Sequence, residues 1–374
     1  ECGFAYKGLC SAGLAFSLGA ALRTQMGAKL DLRGWLDLVA VGTIADLAPL
    51  TGDNRRLVRA GLKRLASSSA RPALQLMRQA LKIPQDADLS ARDVAFRFSP
   101  RLNAPGRLGE ADLTLRFLTT QKRAEASRLL KEIETRNEER KALGERATRE
   151  ALAQARELYG EAPQQGVVLA SEEWHRGVVG IVAARVVDAL GVPAAVIAFD
   201  GDRGHGSVRT VGDFDVHRAL SRCASDLSAW GGHRAAAGLS LEASALERFR
   251  ASFASAAPET RFQERSATEV DVELGGPFRV PSLEDLQLVG PFGHGNPTPL
   301  FQLDALLLSA KAVGEGGLHG KLELRVGQDR VRAFAPAMYA RCEGRDNVRL
   351  VGEFQPDHWI GGGAVELLVK DVLD

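Results

Sequence analysis

The sequence predicts an α/β fold in four parts: a partial α/β domain, a long connecting helix, a second α/β domain and a small C-terminal β-barrel. Three observations carry this expectation. "GVVLASEEW", "GVVGIVAARVVDALG" and "PAAVIAFDG" read as strand, helix and strand, with Gly191 as the helix stop, and that order implies a parallel sheet. From about 118 to 159 the chain holds no proline and carries charge on most turns, as a solvated helix does. Beyond about 263, "KLELRVG", "VRAFAPA", "NVRLVGEF" and "AVELLVKDV" are short strands between turn residues, the pattern of a closed or partly closed barrel.

Composition narrows the function classes. The 374 residues are 45% hydrophobic and 25% charged, a globular balance with room for two or three domains. A net charge of +1 excludes a globally basic protein, so any nucleic-acid contact must rest on local patches. Cys2, Cys10, Cys223 and Cys342 form no C-x-x-C pair, which argues against a zinc site or a disulfide framework and fits a reduced, cytoplasmic setting. No stretch approaches the roughly 18 apolar residues of a membrane span. The first residue is Glu1, not Met, so the chain is expected to start inside a longer protein.

Residues 1–117 mix apolar segments with Gly and Pro punctuation; "NRRLVRAGLKRLA" has helical spacing at Leu57, Ala60, Leu62 and Leu65. Residues 118–160 follow as the connecting helix; at about 1.5 Å per residue some 40 helical residues would span roughly 60 Å. A coiled coil is the weaker reading, because Leu129, Leu130, Ile133, Leu143 and Leu152 hold no sustained heptad. Residues 161–262 form the second α/β domain, in which "RGHGSVRT" reads as a loop and "DVHRALSRCASDLSAW" as a helix. Residues 263–374 form the barrel.

The candidate chemistry begins with Asp46 in "VGTIADLAPL", a carboxylate ending an apolar run that starts near Leu36. It is either a helix cap or a metal or general-base acid held at the rim of a rigid element. All seven histidines lie beyond residue 174, so Asp46 has none in its own lobe; the nearest acids are Asp37, inside the apolar run, and Asp53, in the turn-like "TGDN". "RDVAFRFSPRLNAPGR" sets Arg92, Arg97, Arg101 and Arg107 against the single acid Asp93, with an expected Pro-Gly turn; a solvated surface is the alternative. In "RGHGSVRT", Arg203, His205 and Arg209 stand beside Gly204 and Gly206, which let backbone N–H groups approach an anion, and phosphate is the natural ligand. "WGGHRAAAG" offers a tight turn ahead of His233 and close packing from Ala235 to Gly238 behind it. "DFD" at Asp213 to Asp215 directly precedes a helix and is read as a cap.

Taken in order, "LDLVAVGTIADLAPLTGDNRRLV", "SPRLNAPGR", "WHRGVVGIVAARVV", "RGHGSVRT", "WGGHRAAAG" and "PFGHGNPTPLF" resemble the RecJ family of single-strand-specific DNA exonucleases, in the DHH phosphoesterase superfamily. The resemblance covers nearly the whole chain. It implies the C-terminal part of a DHH domain, a DHH-associated substrate-binding domain and an OB-fold. It implies that Asp46 is a ligand for Mn2+ or Mg2+ in a two-metal site that releases nucleotides from a 5′ end, in recombination and repair. The family's Asp-x-Asp, a further Asp and the Asp-His-His lie upstream of the "GTIAD" acid and are absent here, so this chain alone is expected to lack a complete active site. The resemblance further implies that Arg176, His205, Ser207, Arg209, Gly232 and His233 contact the DNA backbone, with Asn103 and Arg107 lining the cleft from the first lobe.

The same resemblance makes the barrel a single-strand binder, where Phe334, Tyr339 and Trp359 either stack on bases or fill the core. Single-stranded DNA is the expected partner, with single-strand-binding protein and a helicase as further ones. A cytoplasmic monomer with no membrane association is expected. Two alternatives stay open: a shorter DHH oligonucleotidase or nucleotide phosphatase, which normally lacks the third domain, and a noncatalytic protein that holds single strands or replication partners.

Overall fold

A computed structural model describes residues 3–84, 88–257, 269–274, 279–357 and 363–373. The chain forms two compact units, Glu1–Ser99 with Ala267–Asp374, and Pro100–Ser266. The first unit opens with helices α1 (Ser11–Gln25), α2 (Leu36–Ala45), α3 (Gly52–Ala66) and α4 (Pro72–Ala80), then a short turn α5 (Ala91–Asp93) running into a π-helical stretch, Val94–Phe98. Helix α2 is apolar nearly all round and therefore sits inside. Its one acid, Asp37, is fully buried and lies 3.2 Å from Arg71 Nε and 3.9 Å from Arg64 Nε. A buried carboxylate survives only when paired, so Asp37 is a structural ion-pair acid. Asp53 lies not in a turn but in the first turn of α3, where an acid complements the helix dipole.

The second unit contains α6 (Ser99–Arg107), α7 (Ala111–Thr119) and the long α8 (Arg123–Tyr159), then β1 (Val167–Ser171), α9 (Val179–Leu190), β2 (Ala194–Asp200), β3 (Arg203–Arg209), α10 (Val216–Arg222), β4 (Ala229–Gly232), β5 (Ala236–Glu242) and α11 (Leu246–Ala256). The α8 helix is 37 residues long and stops at Gly160, whose φ of 78° a residue with a side chain rarely adopts. Asn103 and Arg107, expected on the first lobe, fall within the span of this second unit. The sheet runs β1-β2-β3-β5-β4, with β1 parallel to β2 as the strand-helix-strand order requires and the other pairs antiparallel. One face packs Val167, Leu169, Ala194, Val196 and Ala198 against Ala147, Ala151 and Ala155 of α8 and Val182, Ala183 and Val186 of α9. The other packs Val168, Ala195, Ile197 and Val208 against Phe249 and Phe253 of α11.

Three local expectations change. "RGHGSVRT" is a strand in the middle of the sheet rather than a loop: a Cβ at Gly204 or Gly206 would come within 2.9 Å of Ile197 and its core neighbours, so these glycines answer close packing beneath the strand. The helix expected through Trp230 ends at Arg222, and the turn-forming Ser225, Asp226 and Ser228 lead instead into β4. Pro105 and Gly106 lie inside α6, near its C-terminal end, where the proline forfeits only one backbone bond before the helix stops.

The first unit resumes with β6 (Val272–Leu274), α12 (Leu283–Val289), β7 (Phe301–Val313), β8 (His319–Val326), β9 (Asp329–Ala335), α13 (Tyr339–Cys342), β10 (Asn347–Pro356) and β11 (Val365–Leu373). The order β7-β8-β9-β11-β10 closes back onto β7, so the expected barrel is closed and has five strands, with β6 added beside β7. Alternation puts Leu322, Leu324, Val331, Ala333, Leu350 and Leu367 inside. Phe334 points outward, opposite Lys321, its ring 5.9 Å from that of His319. Tyr339 is half-buried with its hydroxyl 2.9 Å from Glu343 Oε1, and Trp359 lies outside the described residues. Arg55 and Arg59 of α3 donate to the last carbonyls of α12, at Gly290 (3.1 Å) and Leu288 (2.7 Å), satisfying groups that a helix C-terminus leaves unpaired.

Candidate nucleic-acid interface

Strand β3 alternates, so Gly204, Gly206 and Val208 face the core while His205, Ser207 and Arg209 share the opposite face. On that face α8 lies over β1, and α9 over β2 and β3. The register places Gly238 of β5 beside Ser207, and Gly231 of β4 beside Gly238. Both glycines are exposed, so between Ala236 and Ser240 the β5-β4 half of the face carries no side chain and forms a short open floor bordered by the β3 row. The expected close packing behind His233 holds for the buried Ala237 and not for Gly238, which points to the open side. Gly231 and Gly238 were not among the expected site residues; their one-residue offset from the core positions Trp230, Ala237 and Leu239 was the available signal.

The row is cationic and donor-rich. Arg209 Nη1 donates to Ser207 Oγ (2.7 Å) and to its own strand at Val208 O (2.9 Å), which fixes the guanidinium along the sheet. A Cβ at Gly180, in the first turn of α9, would come within 2.9 Å of Arg209 Nη2 and 3.2 Å of Ser207 Oγ. The helix N-terminus thus abuts the guanidinium, and both favour an anion. Burial holds the Arg209 pKa below the usual arginine value, and the charge of Arg107 lowers it further. Among the described residues no carboxylate pairs with Arg107, Arg176 or Arg209. His205 Nδ1 lies 3.2 Å from Ser240 Oγ across the β3-β5 pair.

Arg107 reaches this place through a close backbone contact. Its Nη1 donates to Gly177 O at 3.2 Å, and a Cβ on Gly177 would collide with the Arg107 carbonyl. The loop carrying Gly177 is held at both ends: the indole of buried Trp174 donates to Glu150 Oε2 (2.8 Å), and Gly177 N donates to His175 Nδ1 (3.0 Å). Arg146 and that indole hold the Glu150 carboxyl below its usual range. Arg176 is exposed on the same loop, and Asn103 is exposed one helical turn before Arg107.

His233 is exposed in the turn between β4 and β5, with its N–H donating to Ala236 O at 2.9 Å. Ala236 pairs with Arg209, so the turn lies at the Arg209 end of the sheet. Gly232 ends β4 at φ 149°, with Ala236 and Ala237 filling the space a Cβ would need, so glycine is required there. The tight turn follows the two glycines instead of forming at them. Asp215 caps α10 by accepting from Arg218 N (2.9 Å), as expected.

Asp46 is the C-terminal residue bounding α2 and is exposed. Capping by its side chain is excluded by position, because a helix C-terminus offers carbonyls and not N–H groups. The backbone closes itself there: Leu47 N donates to Ile44 O and Ala48 N to Thr43 O (both 3.1 Å), with Leu47 in the left-handed region at φ 54°. Among the described residues the carboxylate has no hydrogen-bond or ion-pair partner. An anion at the negative end of a helix is unfavourable, and a cation beside it would reverse the sign. Among the described residues no three His, Cys, Asp or Glu side chains converge to hold a metal, so Asp46 suits one ligand position and the residues present do not fit a complete two-ion site.

An open half-sheet beside an arginine row, carried in one chain with a closed five-stranded barrel, is the architecture of a DHH-associated domain combined with an OB-type domain. The DHHA1 domain matches residues 164–258 and the RecJ OB domain residues 277–371. The chain is 32% identical over 402 residues to the single-stranded-DNA-specific exonuclease RecJ of Salmonella typhimurium, covering all of this chain and 68% of that protein. It is 35% identical over 362 residues to RecJ of Thermus thermophilus, covering 96% and 51%. It therefore belongs to the RecJ family. Crystal structures of Thermus thermophilus RecJ with Mg2+ and with Mn2+ superpose with TM-scores of 0.78 and 0.74 at 33% identity, over 100% and 97% of this chain and 57% and 53% of those. The chain spans about half the length of several curated relatives, 47% for RecJ of Bacillus subtilis. The RecJ OB domain separates it from the shorter oligonucleotidase alternative.

Proposed function

We propose that this chain carries the strand-holding part of a 5′→3′ exonuclease on single-stranded DNA, acting in recombination and repair by two-metal phosphodiester hydrolysis. The open half-sheet bordered by Ser207 and Arg209, with Arg107 beside it and no paired carboxylate, is the observation that carries the reading. Serine and arginine donors hold a phosphodiester oxygen by charge-assisted hydrogen bonds, and the glycine floor lets the strand lie close to the sheet. His205, Arg176, Asn103 and His233 border the same path, and Gly232 sets the turn that presents His233.

Asp46 is proposed as one ligand of a Mn2+ or Mg2+ ion, hard cations that carboxylates suit. Such ions would supply an activated water and neutralise the phosphodiester oxygens. Hydrolysis is assigned to a chain that also carries the family's further acids and histidines. The reading extends to a cytoplasmic monomer working beside single-strand-binding protein and a helicase, which follows from the substrate class. No helix among the described residues is long and apolar enough to cross a membrane.

Filling the floor tests the proposal without touching a charge. A Cβ at Gly238 would meet only the Gly206 carbonyl, at 3.9 Å, so a side chain there projects into open space. Gly238→Phe is expected to melt at the wild-type temperature and to lose single-strand affinity by at least about tenfold in fluorescence anisotropy. Wild-type affinity in a folded Gly238→Phe protein would remove the half-sheet from the binding path.

A further inference from the structure

The described hydrogen bonds leave two buried donors of α8 without acceptors: Asn137 Nδ2 and Arg140 Nε. The two residues are joined, since Arg140 Nη2 donates to Asn137 Oδ1 at 3.0 Å. Asn137 is fully buried on the otherwise apolar stripe of α8, between Ile133 and Gly144, an unusual place for an amide. Buried polar groups are normally satisfied, and an orphaned pair calls for a reason. Arg185 of α9 crosses toward the same stretch of α8, its Nη1 3.4 Å from Thr148 Oγ1 and 3.9 Å from the space above Gly144. Burial pushes the Arg140 pKa down, and the charges of Arg107 and Arg185 push it further, with Glu138 opposing them. Like charges are gathered here, and Arg107 links them to the β3 row.

We infer that Arg140 and Arg185 form a second anion subsite, which takes a phosphodiester group of the single strand beyond the one held at Arg209. Asn137 is a positioning residue that aims the Arg140 guanidinium through its Oδ1. A water would satisfy one donor and leave the arginine charges unbalanced; an anion answers both. This inference rests on the half-sheet reading above and deepens it by giving the strand a direction, from the glycine floor past Arg107 onto α8.

The test measures anisotropy of dinucleotide and longer single strands against salt, with Arg140→Gln, Arg140→Lys, Arg185→Gln and Arg209→Ala. Arg140→Gln and Arg185→Gln are each expected to lower the log–log salt slope for the long strand by roughly 0.7 and leave dinucleotide affinity unchanged. Arg140→Lys should keep the slope, which a purely structural arginine would not require. Arg209→Ala should weaken both lengths. An unchanged slope in the two glutamine variants, with a reduced one in Arg209→Ala, overturns the second subsite and leaves the first reading standing. No effect from Arg209→Ala overturns the half-sheet reading itself. If inorganic phosphate raises the melting temperature of wild type but not of Arg185→Gln while long-strand slopes stay equal, the cluster holds free phosphate and the inference fails. Arg185 lies at the α8–α9 surface, so Arg185→Gln keeps the test open where Arg140→Gln does not fold.

Discussion

Asp46→Asn, made in a chain of the relatives' full length, is expected to abolish Mn2+- or Mg2+-dependent release of nucleotides while the protein melts at or slightly above the wild-type temperature. Both halves come from the position of the residue. The carboxylate is exposed, has no partner among the described residues and sits where the helix dipole disfavours it, so neutralising it removes a repulsion on the order of 0.5 kcal/mol. The main-chain bonds at Leu47 and Ala48 close the helix without it. A packing or capping acid would behave oppositely, costing about 1 kcal/mol on replacement and leaving hydrolysis intact. Thermal melting and a nuclease assay on this one variant separate the cases: an active, destabilised enzyme would show that Asp46 is structural.

Gly177→Ala is expected to destabilise the second unit by about 1–3 kcal/mol and to weaken single-strand binding, because one methyl group cannot enter the space held by the Arg107 carbonyl. Something must move. The loop is anchored by Trp174 to Glu150, so the strain falls on the end of α6 and displaces Arg107 from the β3 row. Melting and anisotropy read the two effects together. A variant with wild-type stability and affinity would mean that the α6 end gives way freely and that Arg107 is not held in place by this contact.

Much of the architecture was legible because it follows periodicity. The strand-helix-strand order, the long proline-free helix and the alternating barrel strands all appear where hydrophobic spacing puts them. The failures cluster at glycine. Gly204 and Gly206 read as loop glycines that bring backbone N–H groups to an anion, yet they lie within a central strand, where the bulk of Ile197, Phe199, Leu239 and Leu241 beneath them explains their lack of a side chain. Gly238 read as a close-packing residue and lies on an open floor, since α8 and α9 lie over β1, β2 and β3 and leave that side of β5 uncovered. At the site, "RGHGSVRT" announced an anion binder through its residue types, while its strand geometry sorts Arg209 and Ser207 from the glycines. Asn137 and Arg140 were hidden inside "RNEERKALGER", one charged run among many, because burial is set by the partner helices and not by the run itself. Of four arginines in "RDVAFRFSPRLNAPGR", Arg97 is tied to Asp93 and Arg101 to Glu134, so composition overstated the free charge there.

If the β3 row clamps a phosphate backbone without reading sequence, as proposed, the salt dependence of binding by Arg209→Ala shows it. Affinity for unrelated single strands is measured by anisotropy across a range of salt concentrations in wild type and variant. Arg209→Ala is expected to bind every strand more weakly alike, with a log–log slope lowered by roughly 0.7, one phosphate contact of a single strand. An unchanged slope, or a loss confined to one sequence, would contradict it.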